Sequence, residues 1–105
     1  MTDRQLLKIA TGFRAGILDG RISDSMCFIV CAPLAGLLSV SGIEVEQREG
    51  EIDCGDYVVG HHWLELADGR ILDPTADQFS TEARPMPDVY IGPRPDWYGR
   101  KGTDL

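Results

Sequence analysis

A cysteine, two adjacent histidines and an aspartate are the residues of this chain whose types and order can perform chemistry together. Cys27 lies in the first third of the sequence, His61 and His62 lie near its middle, and Asp73 follows them. A thiolate is a strong nucleophile, and an imidazole can take the thiol proton and later return it to a leaving group. A carboxylate behind the imidazole fixes its tautomer and stabilises the imidazolium. These residue types, in this order, fit a Cys-His-Asp triad. They also fit a buried inert cysteine in an apolar helix, a pair of strand-end histidines and a turn-forming Asp-Pro, and the spacing alone favours that second interpretation.

The histidines and the aspartate belong to a predicted β-hairpin over residues 60–79. Both arms contain strand-forming side chains, and the dipeptide Asp68-Gly69 between them is a strong hairpin signal. A hairpin that presents histidine on one strand and aspartate on its partner provides half of a triad, and Cys27 is the nucleophile that completes it.

The length of the turn decides which histidine faces Asp73. A two-residue loop places His62 on the face of Asp73, whereas a three-residue loop over 67–69 makes His61 its diagonal neighbour. Side chains alternate along a strand, so a slip of one residue exchanges the faces. The strand geometry alone leaves both registers open.

The nucleophile lies at the start of a predicted helix. An N-capping cluster at residues 23–25 is followed by an apolar run, which predicts a buried central helix over 25–40. Pro33 conflicts with a straight helix, and the alternative is a separate helix that begins at Ala32. In either case Cys27 is close to a helix N-terminus, where the helix dipole favours a thiolate.

Other segments supply the remaining scaffold. Apolar residues at spacings of three and four predict a first helix over 3–19. Alternation predicts a half-exposed strand over 43–52, and residues 53–56 read as a turn. The segment from about 80 to 105 is rich in proline and glycine, which predicts an ordered wrap or a tail with one short edge strand at 89–91.

Length and charge limit the class of protein. The 105 residues suffice for one domain, predicted to span residues 1–105. The formal net charge of −7 argues against a nucleic-acid partner. No apolar run approaches the roughly 20 residues that span a bilayer, so no membrane partner is expected. The polar N-terminus does not resemble a signal peptide, which favours a cytoplasmic location.

The cysteine pattern favours free thiols. Three cysteines, Cys27, Cys31 and Cys54, make a disulfide framework unexpected in a chain without a secretion signal. The spacing of the cysteines and histidines matches no short zinc-ligand pattern. We therefore expect neither a metal nor another cofactor.

Three segments resemble transglutaminase-like proteins of the papain-like cysteine-enzyme superfamily, and the likeness spans roughly residues 23–79. Residues 61–65, HHWLE, resemble the H-x-W-x-E strand of that family, and residues 73–75, DPT, resemble its following D-P-T strand. Residues 27–28, Cys-Phe, resemble the papain-type helix start. The resemblance implies an α+β papain-like minimal core of two helices packed on a three- to four-stranded antiparallel sheet.

The family pattern also implies roles for individual residues. It makes Cys27 the nucleophile, His61 the base and Asp73 the orienting acid, which agrees with the three-residue loop. It leaves Cys31 as a structural thiol and Cys54 as an incidental one. The chain is short for this family, and only the backbone N–H of Cys27 is evident as an oxyanion donor.

Two functions follow as hypotheses. The first is a cysteine-dependent acyl-transfer enzyme of protease, amidase, deamidase or transglutaminase type, with a peptide or other amide-containing substrate that can itself be a protein. The second is a catalytically silent papain-like binding module, such as a small bacterial or phage accessory protein.

Overall fold

The computed structural model describes residues 2–100, which fold into two helices and a five-stranded antiparallel sheet. The elements are α1 (Asp3–Leu18), α2 (Cys27–Val40), β1 (Val45–Asp53), β2 (Val58–Leu66), β3 (Ile71–Asp73), a 3-10 helix (Ala76–Phe79), β4 (Tyr90–Gly92) and β5 (Tyr98–Arg100). The strand order is β4-β3-β2-β1-β5. The predicted α+β class is confirmed, but the prediction of three to four strands is wrong. Residues 101–105 of the predicted C-terminal segment lie outside the described residues.

Helix α1 forms where its periodicity predicts it. Thr2 caps it through a capping box in which the Thr2 hydroxyl accepts from the Gln5 backbone and the Gln5 side chain accepts from the Thr2 backbone. Its buried residues, Leu6, Ala10 and Leu18, form one face. No helix within residues 2–100 combines the length and apolar character needed to cross a membrane.

Helix α2 differs from its prediction in three respects. It begins at Cys27 rather than Ser25, and its N-cap residue, Met26, provides no side-chain hydrogen bond, so the cluster at 23–25 does not cap it. It continues through Pro33 as one helix, and the alternative start at Ala32 is wrong. It is also not buried all round, because it lies at the surface of the sheet and only one side of it meets the core. Its apolar side chains Phe28, Ile29, Leu37 and Val40 are exposed.

The β1–β2 hairpin forms the centre of the sheet. Strand β1 begins and ends slightly later than the predicted 43–52, and it pairs with β2 along the full length of both. On the other edge of β2 the partner is much shorter, since β3 pairs only at Leu64↔Leu72 and Glu65↔Ile71. The Leu66 N–H donates to the carbonyl of Arg70. The three-residue loop is therefore confirmed, with Gly69 at φ +89°.

Two groups of buried side chains hold the sheet. The first, the helix-side core, contains residues from both helices and the strands beneath them: Leu6, Ala10, Cys31, Leu34, Leu38, Leu64, Leu66, Leu72 and Val89. The second is the aromatic cluster, whose buried members all lie on strands: Ile52, Trp63, Ile71 and Tyr98. Partly buried side chains pack against it: Cys54, Phe79, Tyr90 and Trp97.

Strand β5 was not predicted, and a glycine in β1 explains how it docks. Three residues without clear alternation carry little strand signal. At Gly50 an added Cβ would lie 1.8 Å from the carbonyl oxygen of Gly99, so only a residue without a side chain lets β5 approach this closely. The docking buries Tyr98 completely. The predicted short edge strand at 89–91 is confirmed, displaced by one residue, as β4.

Candidate active site

The predicted histidine and aspartate form a buried pair. His61 Nε2 donates to Asp73 Oδ2 over 2.7 Å, and neither side chain has exposed surface. The confirmed register explains the contact, because it puts Trp63 opposite Asp73 and leaves His61 as the diagonal neighbour on the same face. A carboxylate that binds one imidazole nitrogen fixes the tautomer and the ring orientation of the histidine.

Asp73 receives hydrogen bonds at both of its oxygens. The Tyr98 hydroxyl donates to Oδ2 over 2.6 Å, beside the bond from His61. The backbone N–H of Thr75 donates to Oδ1 over 3.0 Å, which is the local turn that an Asp-Pro-Thr sequence favours. These donors satisfy the carboxylate oxygens, which burial separates from water.

Cys27 is the first residue of α2 and lies near the His61 imidazole. Burial acts to raise the pKa of the Cys27 thiol, but the imidazole of His61 and the main chain of His62 and Phe28 outweigh it, so the pKa is lowered overall. Asp73 occupies His61 Nε2, and the buried Nδ1 has no hydrogen-bond partner of good geometry within residues 2–100. That nitrogen is the one free to receive the thiol proton.

The surroundings of His61 favour the protonated form of its imidazole. Burial acts to lower the pKa of His61, but hydrogen bonding and charge from Asp73 and Cys27 raise it to about 9. The opposite shifts of the thiol and the imidazole favour a thiolate–imidazolium pair.

The loop before Cys27 is tied to the turn after Asp73. The hydroxyl of buried Ser23 donates to Asp77 Oδ1 over 2.8 Å, and Arg14 binds both Asp77 oxygens at 2.8 and 3.1 Å. The backbone N–H of Ser25 donates to Gln78 Oε1 over 3.1 Å. These bonds hold the start of α2 against the strand that carries the aspartate.

The backbone conformation of Ser25 and the hydrogen bonds of Gln78 fix the shape of this loop. Ser25 has φ +62°, a left-handed conformation that is uncommon for a residue with a side chain. Gln78 Nε2 donates to Thr75 Oγ1 over 2.8 Å while its oxygen accepts from Ser25. Gln78 therefore connects the turn after Asp73 to the loop ahead of Cys27.

The other two cysteines have different surroundings. Cys31 is buried one helical turn beyond Cys27, its thiol contacts the carbonyl oxygen of His62 at 3.4 Å, and burial raises its pKa well above the ordinary value. Cys54 is half-buried against the aromatic cluster. All three are free thiols. Within the described part of the chain, no three histidine, cysteine, aspartate or glutamate side chains form a group suited to a metal ion.

His62 faces away from the pair and has surface partners. Its Nδ1 lies 3.3 Å from Gln47 Nε2, and its Nε2 lies 3.9 Å from a carboxylate oxygen of Glu49. Its ring meets Phe28 edge-on at 5.2 Å. The prediction that His62 is a neighbour on the opposite face is therefore confirmed.

Sequence reasoning missed Tyr98 and the Asp77 anchor as parts of the site. The contact of Tyr98 with Asp73 joins segments far apart in the chain, and no local pattern indicates it. Asp77 follows the D-P-T segment closely, and its proximity to Asp73 was the only signal available. The Glu65 carboxylate pairs with Arg48 at 3.2 Å.

Comparison with protein-family models, with curated proteins and with solved structures returned no match.

Proposed function

We propose that this protein is a cysteine-dependent acyl-transfer enzyme in which Cys27 is the nucleophile, His61 the acid-base and Asp73 the orienting carboxylate. The observation that carries the proposal is the buried 2.7 Å His61–Asp73 bond beside a thiol of lowered pKa. A buried ionisable pair next to a helix-start cysteine has little structural value, because apolar residues would fill the same space at lower cost. It does have value as a means of making a thiolate.

The chemistry follows from the positions of the three groups. His61 takes the Cys27 proton, and the thiolate attacks an amide or ester carbonyl carbon to give a tetrahedral intermediate. When that intermediate collapses, the carbon–nitrogen or carbon–oxygen bond breaks and the imidazolium returns its proton to the leaving amine or alcohol. Water or an amine, deprotonated by the imidazole, then releases the acyl group from Cys27.

The start of α2 supplies a donor for the developing oxyanion. The N–H of Cys27 is among the first four of the helix, which have no intrahelical acceptor. Loss of one such donor in other enzymes costs about 10²–10³ in rate. Placement of the nucleophile on the first residue of α2 therefore contributes both to thiolate formation and to binding of the intermediate.

A binding module without turnover is the second candidate, and exposed apolar side chains favour it. Phe28 and Ile29, next to Cys27, are 56% and 50% exposed. Apolar side chains that remain in water beside a site are typical of a surface that another molecule covers. The same two residues would contact the acyl donor if the protein is an enzyme.

Alkylation of Cys27 by iodoacetamide separates the two candidates. The protein would carry Cys54→Ser, and mass spectrometry would follow the Cys27 peptide as pH is varied. We expect a reactive thiolate well below the free-thiol pKa of about 8.5, and roughly a tenfold or larger loss of rate at neutral pH in His61→Ala. An ordinary thiol titration in both proteins would contradict the enzyme proposal and favour the binding module.

Acyl-enzyme formation tests the covalent step directly. An activated ester such as p-nitrophenyl acetate should give a burst of nitrophenol and one acetyl group on Cys27. The matched control is Cys27→Ser, which keeps a hydroxyl of similar size but lacks the low-pKa nucleophile. A burst of equal size in both proteins would place the reaction elsewhere.

A further inference from the structure

Tyr98 shares a carboxylate oxygen with the catalytic histidine of the proposed enzyme. Its hydroxyl lies 2.6 Å from Asp73 Oδ2, and His61 Nε2 lies 2.7 Å from the same atom. Tyr98 is completely buried, so no water replaces this contact. A buried tyrosine needs one hydrogen-bond acceptor, and many carbonyl groups could serve. Its use of the orienting aspartate ties β5 to the site.

Several independent contacts fix the tyrosine. The Asp53 N–H donates to the carbonyl of Trp97 over 2.9 Å, the Tyr98 N–H donates to the carbonyl of Pro95 over 3.0 Å, and Arg94 donates to the carbonyl of Tyr98. The Tyr98 ring lies 5.2 Å from Trp63 and 4.7 Å from Trp97. The position of its hydroxyl is thus set by β5, the segment before it and the aromatic cluster.

The proton of this contact belongs to the tyrosine. Burial and the negative charge of Asp73 raise the pKa of Tyr98, so the phenol stays protonated and donates to the carboxylate. A second donor at the oxygen that holds the imidazole withdraws part of the carboxylate charge from the imidazolium.

We infer that Tyr98 is a positioning residue of the site, which acts through the shared oxygen of Asp73 and moderates the basicity of the imidazole. The inference rests on the proposed function. Other ionisable groups packed around the pair are Cys27 and Cys31 from α2, Arg14 from α1, Tyr90 from β4, and Arg84 from the segment before β4. Tyr98→Phe leaves all of them in place.

The test compares Tyr98→Phe with wild type by the pH titration of the His61 imidazole, followed by its ¹⁵N resonances. Without the phenol, the full charge of Asp73 acts on the imidazolium, so we expect the pKa of His61 to move upward and the Cys27 thiolate, which the imidazolium stabilises, to react with iodoacetamide at lower pH than in wild type. An unchanged or lowered pKa of His61 would overturn the inference. Circular dichroism establishes that the variant is folded.

Tyr90→Phe is the matched control. Tyr90 also packs against the aromatic cluster, but its hydroxyl donates to the carbonyl oxygen of Pro93 and not to the site. Removal of that hydroxyl should leave the His61 titration as in wild type. If both variants produced the same shift, the effect would belong to the cluster in general and the role of Tyr98 would be refuted.

A double-mutant cycle with Asp73→Asn tests whether Tyr98 acts through the carboxylate. If it does, Tyr98→Phe should add nothing to the change in Cys27 alkylation already caused by Asp73→Asn. Additive changes in the alkylation of Cys27 would overturn the inference. The outcomes for the proposed function remain separate, because an ordinary thiol in wild type refutes the enzyme, whereas a wild-type thiolate unaffected by Tyr98→Phe refutes only this role of Tyr98.

Discussion

The helix-side core and the aromatic cluster are both buried, yet they bury different kinds of side chain. The helix-side core is built from aliphatic residues and one thiol, Cys31. The aromatic cluster surrounds two ionisable groups, since the His61 ring lies 4.6 Å from Phe79 and 5.9 Å from Tyr98, and its Nε2 binds Asp73. One region removes apolar surface from water, whereas the other also removes charge from water.

Burial of aliphatic side chains and burial of ionisable groups contribute differently to stability. Burial of aliphatic side chains is favourable in proportion to their area, and it does not depend on pH. A buried ion pair must recover its desolvation through well-aligned hydrogen bonds, and removal of one partner is costly. The two regions should therefore respond differently to substitution and to pH.

The largest effect on stability is expected for Asp73→Ala. The change leaves His61, the Tyr98 hydroxyl and the Thr75 N–H without their shared acceptor in a buried site. We expect a loss of about 3–5 kcal/mol in the free energy of unfolding, measured by urea denaturation. A loss below about 1 kcal/mol, the range of an exposed ion pair, would show that the pair is not desolvated.

Leu34→Ala is the matching change in the helix-side core. Leu34 is completely buried, and its truncation should cost about 2–5 kcal/mol through lost burial and a cavity. Because no ionisable partner is removed, the loss should be the same across the range of pH in which the protein is folded. The pH profile of Cys27 alkylation should keep its wild-type shape. A displaced profile would mean that packing in this region also sets the thiolate.

Cys27→Ala isolates the pH dependence of the His61–Asp73 pair. If Cys27 and His61 form the proposed thiolate–imidazolium pair in wild type, the proton lost by the thiol offsets the one gained by the imidazole, and stability changes little near neutral pH. Without the thiol, burial still acts to lower the pKa of His61, and the hydrogen bond and charge of Asp73 still act to raise it. Stability from this pair is then complete below the unfolded histidine pKa of about 6.5 and is lost as pH rises through the folded pKa.

Urea denaturation from about pH 6 to about pH 10 measures this loss, which should amount to roughly 1–3 kcal/mol in Cys27→Ala and less in wild type. Cys31→Ala is the control for removal of a thiol from α2. A stability curve for Cys27→Ala that is flat over the same range would contradict a raised pKa of His61.

The smallest effect is expected for His62→Ala. His62 has one half-buried contact with Gln47 and a distant carboxylate of Glu49, so its removal should cost less than about 1 kcal/mol. Cys27 alkylation should change little, in contrast to His61→Ala. If reactivity were lost in His62→Ala and retained in His61→Ala, the base would be the other histidine.

Local sequence was sufficient for much of the scaffold. The apolar periodicity predicts α1, and Asp68-Gly69 predicts the β2–β3 turn. These features depend on neighbours a few residues apart, which is why they can be read without a structure. The register of the turn was open on geometry alone, and the family resemblance favoured the loop that the structure contains.

The candidate triad residues can be selected from the sequence by their types, but their surroundings cannot. Cys27, His61 and Asp73 stand out because few other residue types can act as nucleophile, base and orienting acid. The anchor between Arg14 and Asp77, the second bond from Tyr98 to Asp73, and the exposed side of α2 all depend on segments distant in sequence. No local pattern encodes which carboxylate a remote side chain will meet.

Sequence alone determined the candidate chemistry, the presence of two helices and the β2–β3 hairpin, because residue type and short-range periodicity act within one element. Only the tertiary structure decided the fifth strand, the burial of the His61–Asp73 pair and the tyrosine that shares its carboxylate. Strand β5 exists because Gly50 leaves room for the backbone of Gly99. Such close approaches arise when distant segments pack, so their energy is a property of the folded molecule and not of any segment by itself.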